Sequence, residues 1–279
     1  MKVLIIDRDT LSTQLIRPKL EAMGHVVTEE PVKNNALEIL EKTAFDCVFL
    51  DPAPLNNARP VILGMRRAVT NYPYMVLMSQ DIQRVEALKA GANDLLPKPI
   101  DAALLDKSLD NALRLTRLIR RIGDDSEDFP SAGGVIAKSA FNQLFLSGLD
   151  RADRYGERTF LLFIGISNYQ EVLEMDGPQA AAYSAAKLSN YLVRLRRQSD
   201  IIAQTGKSEY CLMLQRPQYE TEPREAANRF ADALTQLKDI AQPGSTVDVH
   251  VTLLDLPVGE KHVEHIVRYS ADGAQRQEA

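Results

Sequence analysis

The first hundred residues repeat one simple unit, and this repeat limits the folds that the chain can adopt. Five short apolar segments recur about every 20 to 30 residues, and a polar segment with helical periodicity follows each of them. The segments read KVLIID, HVVTEE, DCVFLD, YMVLMS and DLLPK. The central ones are almost continuously apolar, as expected for strands of a parallel sheet that is covered on both faces. The repeat predicts an α/β fold with a five-stranded, doubly wound parallel sheet.

Polar residues end three of these predicted strands. Asp7 closes the first strand, Asp51 the third and Ser79 the fourth. Ligands of open α/β sheets bind outside the carboxyl ends of the strands. We therefore expect a site that contains these three side chains.

The length of 279 residues suggests two domains. Leucine and isoleucine recur at helical spacing over residues 102–122 and predict a long amphipathic helix that ends the first domain. Residues 123–134 are acidic, contain Pro and Gly, and read as a linker. Residues 135–270 mix helical and strand patterns and predict an α+β domain, and residues 271–279 are expected to be a disordered tail.

Composition narrows the choice of partners and of compartment. The net charge of −5 and the pI near 5.5 argue against sequence-independent binding to nucleic acid or to an anionic membrane. Cys47 and Cys211 lie within apolar runs and are predicted to be buried, reduced thiols. No apolar stretch approaches the ~20 residues of a membrane span, and charge follows the first apolar residues too early for a signal peptide. We expect a cytoplasmic protein with neither nucleic acid nor membrane among its partners.

The first 120 or so residues resemble the receiver domain of bacterial two-component response regulators in strand order, in spacing and at four positions. The resemblance implies that Asp51 is the phosphoacceptor, that Ser79 is the switch hydroxyl and that Asp7 is one acid of a metal-binding pair. Lys98, which a proline follows, matches the lysine that neutralises the phosphoryl charge. These residue types suit phosphotransfer, which needs a nucleophile, acids for Mg²⁺ and a cation.

The second acid of that metal-binding pair is replaced by Arg8. An arginine cannot ligate Mg²⁺ and carries the opposite charge. Asp9 either substitutes for the lost acid or serves as the N-cap of the helix that follows. We predict that phosphorylation of Asp51 is weak or absent, and that Arg8 pairs with Asp51 where Mg²⁺ would bind. We expect no metal site, with weak binding of Mg²⁺ by Asp7 and Asp51 as the alternative.

The segment TGKSEY raises the question of a phosphate-binding loop. A P-loop needs an earlier glycine at the position of Ile201, so this interpretation fails. The second half instead resembles the GGDEF domain of diguanylate cyclases over about residues 135–270. The resemblance rests on the segment DRYGERTFLLFIGISNYQ, on TGKSEY about 40 residues later, and on the strand VTLL that follows.

Each catalytic motif that this resemblance implies is eroded. Gly165 and Ser167 stand where metal-binding carboxylates are expected, and Leu173 and Ala182 where an Asn and an Asp would bind guanine. The signature motif itself has become Gly206, Lys207, Ser208 and Glu209. Phosphoryl transfer with two metal ions cannot proceed without acids to hold them, and the four histidines form no metal-binding pattern. We therefore expect a protein that is not an enzyme, with no catalytic residue and no required cofactor.

The resemblance also implies a site that is retained. Arg197 and Asp200 stand at the offset from Gly206 where GGDEF domains have an Arg-x-x-Asp inhibitory site for cyclic di-GMP, and Arg229 would be a secondary contact. An arginine fork suits the O6/N7 edge of guanine or a phosphate, and a carboxylate accepts from guanine N1–H and N2–H. The alternative is local: an arginine that ends a helix beside an aspartate that starts a turn.

Three functions remain open. The leading hypothesis is a non-catalytic response regulator that binds cyclic di-GMP and signals through protein–protein interaction. The second is a structural adaptor that binds no ligand and whose receiver acts without phosphorylation, and the third is an active diguanylate cyclase. The partners implied are other proteins, with a histidine kinase as a candidate, a second copy of the chain joined through the receiver, and cyclic di-GMP.

Overall fold

The computed structural model describes residues 1–55, 57–129, 133–242, 244–270 and 273–278, which form two compact units. The first unit comprises Met1–Arg121, Gly148–Glu157 and Pro257–Gly259. The second unit comprises Ile122–Ser147, Arg158–Leu256 and Glu260–Ala279. Each unit is therefore assembled from segments that are separate in the sequence.

The first unit contains a parallel sheet. Its strands are β1 (Lys2–Ile6), β2 (Val26–Glu29), β3 (Cys47–Leu50), β4 (Tyr74–Ser79) and β5 (Asp94–Pro97), in the spatial order β2-β1-β3-β4-β5. All neighbouring pairs run parallel. The predicted five-stranded α/β fold is confirmed.

A helix follows each strand of this sheet. These helices are α1 (Thr10–Ala22), α2 (Lys33–Lys42), α3 (Arg59–Ala68), α4 (Arg84–Lys89) and α5 (Ala102–Gly123). The predicted long helix is α5, and its leucines Leu105, Leu109 and Leu115 are buried. The helical period of the apolar residues thus corresponds to the buried face of α5.

The strands are apolar on both faces because both faces are covered. Residues Val3, Leu4, Ile5 and Ile6 expose at most 1% of their surface, and all four residues of β3 are buried. A charged side chain within these strands would lie in the core without water. Asp7 and Asp51 stand just after the last apolar residues of β1 and β3, where the buried core of these strands ends.

The second unit contains an antiparallel sheet of six strands. Its strands are β6 (Thr159–Ile166), β7 (Ile201–Gln204), β8 (Glu209–Gln215), β9 (Val247–Leu256), β10 (Lys261–Ser270) and β11 (Gly273–Glu278), in the order β11-β10-β9-β6-β8-β7. The helices of this half of the chain are α6 (Lys138–Tyr155), α7 (Tyr169–Asp176), α8 (Pro178–Leu195) and α9 (Glu222–Leu234). The predicted α+β architecture is confirmed.

Alternate residues of the β6, β8 and β9 strands pack against α8 and α9. Leu162 and Val251 from the sheet join Leu188 from α8 and Phe230 from α9 in one buried cluster. Alternation places one face of each strand in this cluster. This packing fixes the ends of α8 and α9, which carry the residues of a pocket described below.

The C-terminal region contains two strands, β10 and β11, that the sequence analysis missed. β10 pairs antiparallel with β9, and β11 pairs antiparallel with β10. The predicted disordered tail is therefore wrong for residues 273–278, whereas residues 271, 272 and 279 lie outside the described residues. The sequence misleads because β11, GAQRQE, is polar, and polar side chains are common on an edge strand that faces water.

Cys47 and Cys211 are buried, as predicted, and no disulfide joins them. Burial raises the pKa of the Cys47 thiol, so this group stays protonated at neutral pH. Within the described part of the chain, no helix is both long enough and apolar enough to cross a membrane.

Candidate functional site

Three predicted side chains of the first unit meet at the carboxyl edge of the parallel sheet. Asp7 follows β1, Asp51 follows β3 and Lys98 follows β5. The Nζ atom of Lys98 lies 2.8 Å from Oδ2 of Asp7 and also pairs with Oδ2 of Asp51. We call these three residues the acidic cluster.

The acidic cluster is shielded from solvent. The side chains of Asp7, Asp51 and Lys98 expose 1%, 15% and 7% of their surface. Burial alone would lower the pKa of Lys98, but its bonds to Asp51 and Asp7 outweigh burial and raise the pKa. Lys98 therefore stays protonated, and one buried ammonium group faces two carboxyl groups.

Ser79 and Asp9 border the same cleft. Together with Asp51 and Lys98 they line an open cavity of about 730 Å³. The hydroxyl oxygen of Ser79 accepts from two backbone N–H groups of the loop after β4, at 3.2 Å and 3.3 Å. The structure thus brings the predicted receiver residues to one edge of the sheet.

Asp9 is the N-cap of α1. Its Oδ2 accepts from the hydroxyl of Ser12 at 2.8 Å, and its Oδ1 accepts from the backbone N–H of Leu11 at 3.0 Å. These two bonds lower the pKa of Asp9. Of the two roles considered for Asp9, the capping role is confirmed.

Arg8 does not take the predicted place beside Asp51. The residue is exposed, and no ion pair joins Arg8 to Asp51 among the contacts that the described residues make. The predicted pairing is wrong because Lys98 reaches Asp51 from β5 and already supplies the compensating charge. A guanidinium group in solvent also avoids the cost of desolvation.

The donor set around the acidic cluster does not fit Mg²⁺. A magnesium ion requires oxygen ligands in octahedral arrangement, usually carboxylates and waters. Asp7 and Asp51 are both bound to Lys98, the neighbouring residue is Arg8, and Asp9 caps a helix. Within the described ranges, no group of three or more His, Cys, Asp or Glu residues is arranged to hold a metal ion.

The Gly-Lys-Ser segment of the second unit forms the turn between β7 and β8. The backbone N–H groups of Thr205 and Gly206 donate to the carbonyl oxygen of Glu209 at 2.9 Å and 3.2 Å. The side chain of Lys207 is 67% exposed, and its Nζ lies 3.5 Å from Oε1 of Glu127, which is exposed as well. Such an exposed pair contributes about 0–1 kcal/mol. Lys207 therefore stands in solvent, whereas Thr205 and Ser208 on either side of the turn are buried.

Gly165 lies where its neighbours leave no room for a side chain. A Cβ atom at this position would lie 2.9 Å from the Cα of Glu209, from Cε1 of His250 and from the carbonyl oxygen of Ser208. Ser167 donates its hydroxyl to the carbonyl oxygen of Asp248 at 3.1 Å. Neither position presents a carboxylate to this edge of the sheet.

Glu209, the acid of the TGKSEY segment, is held by its neighbours. Oε1 of Glu209 accepts from the hydroxyl of Thr205 at 2.7 Å, and Oε2 lies 3.7 Å from Nε2 of His250. Leu173 packs against the hydrophobic core, and Ala182 is an exposed alanine of α8. The two positions that would bind guanine therefore offer no polar group.

A second pocket contains the three residues predicted to bind cyclic di-GMP. Arg197 follows the end of α8, Asp200 precedes β7 and Arg229 lies on α9. All three line one cavity of about 160 Å³ in the second unit. We call this cavity the arginine pocket.

The groups of the arginine pocket also bond to one another. Oδ2 of Asp200 accepts from the backbone N–H of Arg197 at 3.0 Å, and Nη1 of Arg197 donates to Oε1 of Glu222 at 2.7 Å. The bond to Glu222 raises the pKa of Arg197. The backbone N–H of Gln218 and the guanidinium of Arg197 together lower the pKa of Glu222. Arg197 and Asp200 therefore form the local turn that was considered as the alternative, and they also line the pocket.

Sequence reasoning missed two charged residues of the arginine pocket, Arg216 and Glu222. Arg216 follows β8 with a positive φ of 50°, and Glu222 begins α9 just before Pro223. An acid in a first turn followed by proline is common for local reasons. No local pattern shows that this acid faces Arg197.

Residues 3–110 match the family model described as the response regulator receiver domain. The matched segment contains the parallel sheet and the acidic cluster described above. Residues 3–110 are therefore a response regulator receiver domain.

The chain is 34% identical over 132 residues to the "Transcriptional regulatory protein CpxR homolog" of Haemophilus influenzae, a match that covers 46% of this chain and 54% of that protein. This chain thus spans about half the length of that curated relative.

The match to this relative corrects the prediction about nucleic acid. The low pI was taken to exclude nucleic acid as a partner, and a relative named as a transcriptional regulatory protein overturns this exclusion. Net charge is a sum over the whole chain and does not exclude a local basic surface.

Two solved structures overlap parts of the chain. A two-component response regulator from Clostridium difficile is 24% identical, covers 41% of this chain and 96% of its own, and has a TM-score of 0.37. The GGDEF domain of TpbB, or YfiN, from Pseudomonas aeruginosa is 19% identical, covers 43% of this chain and 70% of its own, and has a TM-score of 0.36. At these TM-scores, neither overlap assigns a role to a residue.

Proposed function

We propose that this chain is a non-catalytic signalling protein that joins a receiver domain to a degenerate GGDEF domain, and that it binds cyclic di-GMP in the arginine pocket. One observation carries the proposal. Arg197 and Asp200, selected from the sequence by their offset from Gly206, line a single cavity together with Arg229, which the resemblance implied as a secondary contact and which is distant in the sequence. The proposed output is a contact with another protein.

The chemistry of the arginine pocket suits one part of such a ligand. Its volume of about 160 Å³ is below the ~300–1,000 Å³ of pockets that enclose drug-sized ligands, so a single guanine base or phosphate would enter while the remainder stays outside. Arg197 and Arg229 would donate to phosphate oxygens or to the O6/N7 edge, and Asp200 would accept from guanine N1–H and N2–H.

The geometry at the end of β6 and at the start of β8 supports the non-catalytic part of the proposal. Gly165 has no space for an acid, Ser167 bonds to a backbone carbonyl, and Glu209 bonds to Thr205. Transfer of a phosphoryl group needs positioned metal ions or cations around the reacting phosphate. These residues supply no set of ligands for a metal ion, so GTP turnover is not expected.

Isothermal titration of the full chain with cyclic di-GMP tests the proposal. We expect saturable binding, and at least a tenfold loss of affinity in Arg197→Ala, because a charged donor would be removed and each tenfold is about 1.4 kcal/mol. Arg194→Ala is the matched control, since it removes the same charge from an exposed residue of α8 that does not line the pocket. Equal affinity of the wild type and Arg197→Ala would refute the site.

The second candidate is a structural adaptor that binds no ligand. Two contacts within the pocket favour it: Asp200 accepts from the backbone N–H of Arg197, and the guanidinium of Arg197 pairs with Glu222. The side chains of Arg197 and Asp200 thus have polar partners without any ligand. The same titration separates the two functions, since the adaptor shows no heat of binding with cyclic di-GMP.

A further inference from the structure

Glu222 occupies the position in the arginine pocket that an anionic ligand group would take. Its Oε1 accepts from Nη1 of Arg197 at 2.7 Å, and its Oε2 accepts from the backbone N–H of Gln218 at 2.6 Å. Both carboxylate oxygens are therefore bound, as two oxygens of a phosphate would be. The acid lies at the start of α9, where the helix dipole favours a negative charge.

Of the two residues in this ion pair, Glu222 is the less exposed and Arg197 the more exposed. The side chain of Glu222 is 17% exposed, whereas that of Arg197 is 55% exposed. The bond from Gln218 and the Arg197 guanidinium lower the pKa of Glu222, so the acid stays charged at neutral pH. A phosphate that approaches Arg197 therefore meets a fixed negative charge that already holds the guanidinium.

We infer that Glu222 is an internal competitor of the ligand: it holds Arg197 in the ligand-free protein and sets the affinity of the arginine pocket for cyclic di-GMP. This inference rests on the proposed function. Binding would require Arg197 to exchange the carboxylate of Glu222 for an oxygen of the ligand, and the cost of breaking the pair would be subtracted from the binding free energy. The exchange makes no covalent bond and needs no further reactant.

The size of the effect follows from the exposure of the ion pair. Arg197 is largely exposed, so its pair with Glu222 is weak and breaking it opposes binding only modestly, whereas removal of a negative charge beside a ligand phosphate adds to the gain in affinity. We therefore expect Glu222→Gln to bind cyclic di-GMP about threefold to tenfold more tightly than the wild type. Glutamine keeps the length and the hydrogen-bonding capacity of the side chain, so the start of α9 is retained.

Glu225→Gln is the matched control. Glu225 lies on the same helix and loses the same charge in this variant, but it does not line the arginine pocket. Its carboxylate instead accepts from the hydroxyls of Tyr219 and Thr221, each at 2.8 Å. We expect the affinity of this variant to match that of the wild type. Equal tightening in Glu225→Gln and Glu222→Gln would mean that only the net charge of the helix matters, and would overturn the inference.

A double-mutant cycle in the full chain completes the test. The titrations use cyclic di-GMP with the wild type, Arg197→Ala, Glu222→Gln and the double variant. We expect Glu222→Gln to tighten binding only when Arg197 is present, because the competition acts through that guanidinium. If the wild type binds, Arg197→Ala loses affinity and Glu222→Gln binds no more tightly, the competitor is refuted and the proposed function stands. If none of the four proteins binds, both are refuted.

Discussion

At the scale of single residues, Gly165 shows how closely the second unit packs at the end of β6. The imidazole of His250 and the backbone of Ser208 and Glu209 lie where its side chain would begin. An acid introduced at position 165 would therefore collide with backbone atoms, which cannot move as the end of a flexible side chain can. The packing around Gly165 is therefore incompatible with a carboxylate side chain at this position.

We expect Gly165→Ala to lower the free energy of unfolding by about 1–3 kcal/mol, because even a methyl group at this position overpacks the site. Urea denaturation followed by circular dichroism measures the change. Gly206→Ala is the control, since a Cβ there would lie in ordinary contact, 3.4 Å from the Cβ of Glu209. Similar stability of Gly165→Ala and the wild type would show that the β6 edge has more space than this packing allows.

At the scale of elements, β11 is held by its pairing with β10 and by one arginine. Arg276 pairs with Asp232 of α9, and its Nη2 lies 2.8 Å from Nε2 of His265 and 3.1 Å from Oδ1 of Asn228. Of the other described side chains of β11, Ala274 packs at the edge of the hydrophobic core, whereas Gln275 and Gln277 are exposed. The position of this edge strand therefore depends on the Arg276 cluster more than on the hydrophobic effect.

Arg276→Ala should loosen β11 and leave β9 and β10 in place. Charged hydrogen bonds contribute about 1.5–3 kcal/mol, so we expect the backbone amides of residues 274–277 to exchange hydrogen at least tenfold faster. Hydrogen exchange with mass spectrometry on the full chain measures this rate. Gln275→Ala, at an exposed neighbouring position, should leave the rate unchanged. Equal exchange in all three proteins would show that the backbone ladder alone holds the strand.

At the scale of the whole molecule, the chain has two places where a signal could enter. The receiver domain has a phosphoacceptor-like aspartate, but Lys98 holds both carboxylates and Arg8 stands where an acid would be expected. The second unit has a pocket with charges of both signs that suits a nucleotide. The proposed function therefore assigns the input to the second unit and not to phosphorylation of Asp51.

Incubation of the full chain with acetyl phosphate and Mg²⁺ should leave Asp51 unmodified, because the donor set around it does not fit the metal ion. Intact-protein mass spectrometry detects an added phosphoryl group, and beryllofluoride serves as a second, non-covalent probe. Asp51→Asn provides the background signal. Stoichiometric modification that disappears in Asp51→Asn would show that the receiver is phosphorylated. Phosphorylation of Asp51 in the first unit would then be a signal input.

The sequence by itself determined the features that depend on local periodicity. Apolar runs of strand length alternate with helical patterns, so the parallel sheet, α5 and the α+β character of residues 135–270 were predictable before any coordinates, whereas α7 was not predicted. Asp7, Asp51 and Lys98 were predictable as neighbours because parallel strands end at one edge. Spacing from Gly206 was enough to select Arg197 and Asp200. Each of these features depends either on residues that are close in the sequence or on the common edge at which parallel strands end.

Only the tertiary structure decided which charged groups meet. It paired Asp51 with Lys98 and left Arg8 in solvent, because packing around a buried carboxylate admits one cation and excludes the other. It brought Glu222 to Arg197 across 25 residues and attached the polar strand β11 through Arg276. Within the first unit it buried Asn93, which donates to the carbonyl oxygen of Pro257 at 2.7 Å. These contacts join segments that are distant in the sequence, and no periodic pattern of hydrophobic residues encodes the partner of a single polar side chain.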